Sequence, residues 1–122
     1  MDDVQILTEA RNKVADRWIQ GRDTDSIGGF CSIGAVRSAH MNYWVREHGS
    51  LPEVIAEQMG FNADQERVAL HLNYAIRELY PEYEGYGEDT SIIPDWNDAD
   101  GRTQEQVLEM FDRALKIVER DG

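Results

Sequence analysis

The sequence predicts an all-α fold: a compact single-domain bundle of four to five helices with one long acidic loop. Three observations carry this. Apolar residues recur at spacings of three and four through most of the chain, while strand-like alternation is scarce. Capping and breaking residues bound the periodic stretches. At 122 residues and 41% hydrophobic content, the chain is long enough to bury one core without disulfide or metal staples.

The elements follow in order. Asp2 with Gln5 opens a first helix that places Val4, Leu7, Ala10, Val14 and Trp18 on one face and stops at Gly21. Residues 22–29 are polar, end in two glycines and read as a loop. A second helix is expected from Ser32 to Glu47, with Ile33, Val36, His40, Tyr43 and Trp44 along one side; Gly34 and Ala35 admit a neighbouring backbone at its start. His48 suits the negative end of that helix, and Gly49 supplies the stop. Ser50-Leu51-Pro52-Glu53 has the form of a capping box with proline in the first turn, predicting a short third helix that ends near Gly60.

Asn62 with Gln65 opens a fourth helix, its inward residues Val68, Leu72, Ala75, Ile76 and Leu79. It ends at Tyr80, because the residue before a proline avoids helical backbone. Thr103 with Gln106 opens the last helix, striped by Val107, Met110, Phe111, Ala114 and Val118. Glu109–Arg113 and Asp112–Lys116 lie at a favourable offset on its outer face. Residues 81–94 remain as a long connection, with Ser91-Ile92-Ile93 expected to add a short extended piece.

Charge narrows the function classes. Twenty-four acidic residues oppose twelve basic ones, for a net charge of −12. Phosphate backbones are repelled by such a chain, which disfavours direct nucleic-acid binding. Residues 81–105 hold much of the excess: Glu82, Glu84, Glu88, Asp89, Asp95, Asp98, Asp100 and Glu105 against Arg102 alone. Such a strip keeps a small protein soluble, greets a basic partner, or imitates DNA. The sequence has no apolar run of membrane-spanning length; no secretory signal is visible at Met1-Asp2-Asp3, and a single cysteine suits a reducing compartment. The expected location is cytoplasmic.

Four places are candidate sites. Trp96, Asn97, Asp98, Gly101 and Thr103 form a turn and helix cap whose residue types a structural junction explains: Asn and Asp bond to nearby amides, glycine supplies positive φ, and Trp96 plugs the core. The alternative is a carboxylate site for a cation or polar ligand. Calcium in an EF-hand is rejected, since Gly101 at the sixth position puts Trp96 first and Val107 twelfth, and Pro94 stands where the preceding helix should be. Cys31, at a helix start after two glycines, is a candidate nucleophile if its pKa is lowered, although His40 lies nine residues along the same helix and faces away. His40, His48 and His71 lack zinc-ligand spacing, so no metal or cofactor is expected. Tyr80, Tyr83 and Tyr86, interleaved with Glu82, Glu84, Glu88 and Asp89, are the candidate partner-binding segment, because tyrosine is enriched at the energetic centres of interfaces.

Trp18 to Gly21, Cys31-Ser32-Ile33-Gly34-Ala35 and Trp96-Asn97-Asp98 through Val107 together resemble a family of small uncharacterised proteins from actinobacteria and their phages. The resemblance implies a Cys-x-x-Gly-Ala helix start and a Trp-Asn-Asp turn before a final amphipathic helix; it brings no activity with it. The leading expectation is a protein-interaction or regulatory module, an accessory protein of a phage or mobile element that modulates a host protein. The alternatives are a small cysteine-dependent hydrolase or transferase using Cys31, a DNA-mimic inhibitor, and a structural role through self-association.

Overall fold

Asp2 Oδ1 accepts a hydrogen bond from the Gln5 amide at 3.0 Å, and from this cap helix α1 runs Asp3–Asp16 in the computed structural model, which describes residues 2–121. Four further α-helices follow: α2 Ser32–His48, α3 Ile55–Leu79, α4 Ile92–Asn97 and α5 Gln104–Asp121. Among the described residues β-structure is limited to two isolated bridges, both at Phe30. The all-α expectation holds. α1 lies against α2 and α5, α3 packs along α5, and α4 fits between α2 and α3. Trp96, Phe111, Ile6, Leu7, Leu72, Ile76 and Ile93 are the large side chains at the centre. No helix is long and apolar enough to cross a membrane among the described residues.

α1 is shorter than the periodicity suggests. It buries Ile6, Leu7, Ala10 and Val14, leaves Val4 exposed and stops before Trp18. Arg17 turns extended because its carbonyl is taken by the Phe30 amide at 3.0 Å, and Ile19 N–H then donates to the Phe30 carbonyl at 3.2 Å. A side chain from far along the chain satisfies the open carbonyl end: Gln104 Nε2 donates to Val14 O at 2.7 Å and Ala15 O at 3.2 Å.

α2 begins and ends on the expected signals. Gly34 lies against the backbone of the preceding loop, where an added Cβ would meet the Asp23 carbonyl oxygen at 2.1 Å. Gly49 closes the helix at φ 84°.

The third and fourth expected helices are one. α3 passes through Gly60 without a break, and Ser50 to Glu53 stay outside it as loop. Glycine in a helix interior costs about 1 kcal/mol, which is a penalty and not a stop. Burial of Val68, Ala69, Leu72, Ala75 and Ile76 stabilises the far half, and helix propagation carries that order backwards.

The long connection is also more regular than expected. Pro81–Tyr86 forms a short 3-10 helix, and Ser91-Ile92-Ile93 leads into α4 instead of extending. Pro94 sits in the first turn of α4, where its missing N–H costs nothing. A helix therefore does precede the Trp96 turn, and it is Trp96 and Val107, at positions that need oxygen donors, that exclude an EF-hand. At α5, Thr103 Oγ1 accepts from the Gln106 amide at 3.2 Å while Gln106 Oε1 accepts from the Thr103 amide at 3.1 Å, the reciprocal cap that the sequence implies. Ile117, not Val118, completes the buried stripe. The outer charges bridge helices: Arg113 binds Glu78 of α3 at 3.1 Å and Asp112 accepts from Arg11 of α1 at 2.6 Å, in place of the expected pairs within α5.

Candidate functional site

The two sequence-singled stretches meet at Asn97. This side chain is fully buried at the end of α4. Its Oδ1 accepts from Trp18 Nε1 at 2.8 Å, from the Ser32 amide at 3.0 Å and from Ser32 Oγ at 2.6 Å. Its Nδ2 donates to Ile19 O at 3.1 Å and to Asp98 Oδ1 at 3.0 Å. Asp98 accepts in turn from the Gly21 amide at 2.9 Å, and Gln20 Nε2 donates to the carbonyls of Asn97 and Ala99 at 3.0 and 3.2 Å. The expectation of local Asx bonding is corrected: Asn97 ties α4 to the extended stretch that follows α1 and to the start of α2. An amide with both ends committed to protein leaves nothing free for a ligand.

Trp96 plugs the core as expected. Tyr80 meets it edge-on at 5.5 Å, and the Arg102 guanidinium lies 4.2 Å over its ring while Arg102 Nε donates to its carbonyl at 2.8 Å. Gly101, at φ 81°, makes the turn towards Thr103.

Cys31 lies beside this junction and is 3% exposed. Its Sγ accepts from the Gly34 amide at 3.4 Å and lies 3.9 Å from Asp23 Oδ1. Burial pushes the thiol pKa up, and the charges of Asp23 and Asp98 add to the rise against the lowering effect of the Gly34 amide. The lowered pKa required of a nucleophile is thus replaced by its opposite. The histidines are occupied elsewhere. His40 is buried against Phe61 with Gln65 Nε2 at 3.2 Å from its Nδ1, and burial lowers its pKa. His48 stacks on Trp44 at 3.9 Å. His71 Nε2 lies 2.9 Å from Asp3 Oδ2, and Arg67 grips the same carboxylate. Among the described residues no three acidic, His or Cys side chains gather as a metal site.

The acidic tyrosine segment is ordered. Asn73, buried in α3, donates to the carbonyls of Gly87 and Asp89 at 2.9 and 3.0 Å and so anchors the far end of the 3-10 helix. Tyr80 and Tyr83 pack on the core, while Tyr86 is 63% exposed. Glu84 lies 3.6 Å from Arg77, Glu88 accepts from Tyr74 Oη at 2.8 Å, Asp89 accepts from the Ser91 amide at 2.9 Å, and Glu82 is exposed. The segment therefore offers one exposed aromatic ring, not three, among carboxylates that are its neighbours in sequence.

Two features escaped the sequence reading. The Asp3–His71–Arg67 cluster joins residues more than sixty positions apart, a distance over which sequence carries no pairing signal. The exposed first turns of α3 were hidden by the expected break at Gly60.

Comparisons with curated proteins and with solved structures gave no match. A protein-family model matches residues 1–116, and the chain accordingly belongs to the family of unknown function DUF6197.

Proposed function

We propose that the protein is a non-catalytic interaction module that presents the ordered acidic segment around Tyr86 to a basic protein partner. The observation that carries this is the fixed presentation of Tyr86: a 63% exposed aromatic on a 3-10 helix whose far end is held by two Asn73 hydrogen bonds. An aromatic carried on backbone that is already ordered loses less entropy on docking than one on a loop that must order. Glu82, Glu84, Glu88 and Asp89 around it would steer a basic surface and hasten encounter. The commitments of Cys31 and Asn97 described above support binding over catalysis. The wider reading is an accessory protein of an actinobacterial phage or mobile element that acts on a host protein, supported by the resemblance of the Cys-x-x-Gly-Ala and Trp-Asn-Asp stretches.

Affinity capture from an actinobacterial lysate tests this, with Tyr86→Ala and a Glu82→Gln/Glu84→Gln double variant as controls. The expected result is a basic protein retained by the wild type, lost with Tyr86→Ala, captured more slowly by the double variant, and released by salt. A partner held equally by all three removes this segment from the argument.

A further inference from the structure

We infer that the turn between α2 and α3, together with the first turns of α3, is a surface on which two copies of this chain pair. In residues 55–63 every side chain except Phe61 is exposed, and the buried residues of α3 begin only at Val68. A helical stretch of that length is marginal in water without a packed face. Ile55 and Met59, one turn apart, are 76% and 68% exposed. Leu51 and Val54 precede them, and Met41 and Val45, one turn apart on α2, are exposed as well.

Beside these protruding side chains lies a hollow. Met41, Leu51, Pro52, Gln58, Phe61 and Asn62 line a cavity of about 410 Å³ at the same turn. A knob next to an apolar hollow on one copy is self-complementary under a two-fold axis, each copy's Ile55 entering the other's hollow. The exposed parts of the six apolar side chains come to roughly 600 Å² per copy, or about 1,200 Å² for a pair, which reaches the lower edge of specific interfaces. Charge permits pairing here: residues 41–63 carry a net charge of −2 against −7 over residues 81–105, so like-charge repulsion between copies is far weaker here than at the acidic segment.

A second copy and a basic partner differ in their response to salt. Screening weakens attraction to a basic partner, whereas it relieves repulsion between two acidic copies and strengthens their pairing. Sedimentation equilibrium on the full chain from about 5 to about 500 µM, at low salt and at about 0.5 M NaCl, reads this directly. A monomer–dimer equilibrium that tightens with salt is expected. Ile55→Lys and Met59→Lys each make the chain less negative, so a weakening by about tenfold or more in either cannot come from added repulsion. Both positions are exposed, and circular dichroism verifies that helicity is kept. Tyr86→Ser leaves pairing unchanged, which separates this surface from the acidic segment. A monomer at every concentration, a dimer that both lysine variants leave intact, an association that salt weakens, or an open-ended series of larger masses would overturn the inference.

Discussion

Asn97→Ala should destabilise the protein by about 4 kcal/mol, far more than truncating a surface amide. The estimate follows from what the amide satisfies. Its oxygen takes both donors of Ser32, which is fully buried, and the partly buried Trp18 N–H; its nitrogen serves the Ile19 carbonyl. A buried polar group left unpaired costs about 1–3 kcal/mol. Two orphaned Ser32 donors and one carbonyl would exceed that figure, and water reaching Trp18 and part of the vacated space brings it back. Urea unfolding followed by tryptophan fluorescence measures the loss, with the slope checked for constancy. Asn97→Asp is the informative companion. It keeps an oxygen for Trp18 and Ser32 but turns a second oxygen towards Asp98, 3.0 Å from the replaced nitrogen. Its penalty should therefore shrink as pH falls and one carboxyl of the pair protonates. A loss below about 1 kcal/mol for Asn97→Ala would refute the claim that the junction is held by this side chain.

Gly60→Ala should stabilise by about 1 kcal/mol, because an added Cβ would meet nothing nearer than the Trp44 ring at 4.0 Å; destabilisation in thermal melts would argue that α3 breaks there after all. Asp3→Asn should cost about 2 kcal/mol at pH 7. Burial pushes the Asp3 carboxyl up, but hydrogen bonds from His71 and Arg67 and the Arg67 charge outweigh it and hold the pKa at about 2 against 3.8. Since the folded pKa is the lower one, this stabilisation is present above about pH 4 and fades towards pH 2, so wild type and variant should converge in acid melts. The Cys31 thiol should react with a disulfide reagent at least about a hundredfold more slowly in the folded protein than in urea. Fast native labelling would reopen the nucleophile reading.

Several local signals were legible because the partner is local. Asp2 with Gln5, Thr103 with Gln106 and Gly49 each act within four residues, so composition at fixed offsets reveals them. The close approach at Gly34 was also legible, since only a missing side chain admits a backbone there. The candidate sites were less so. Trp96 and Asn97 stand out in the sequence, yet apart from Asp98 the partners of the Asn97 side chain lie 65 to 79 positions away, and nothing local names Trp18 or Ser32. Likewise Tyr80, Tyr83 and Tyr86 look equivalent as a string, although packing sends two to the core and one to solvent.

What the chain determined by itself is the helical class, most of the apolar stripes and five of the helix ends, because periodicity and capping are properties of neighbouring residues. Tertiary structure decided the rest: α1 stops early because Phe30 claims the Arg17 carbonyl, α3 runs through Gly60 because its far half is buried, and α4 forms over Pro94 because Ile92, Ile93 and Trp96 find a core. At Gly60 the contest is explicit: burial worth several kcal/mol, gained across the molecule, outweighs a local preference of about 1 kcal/mol.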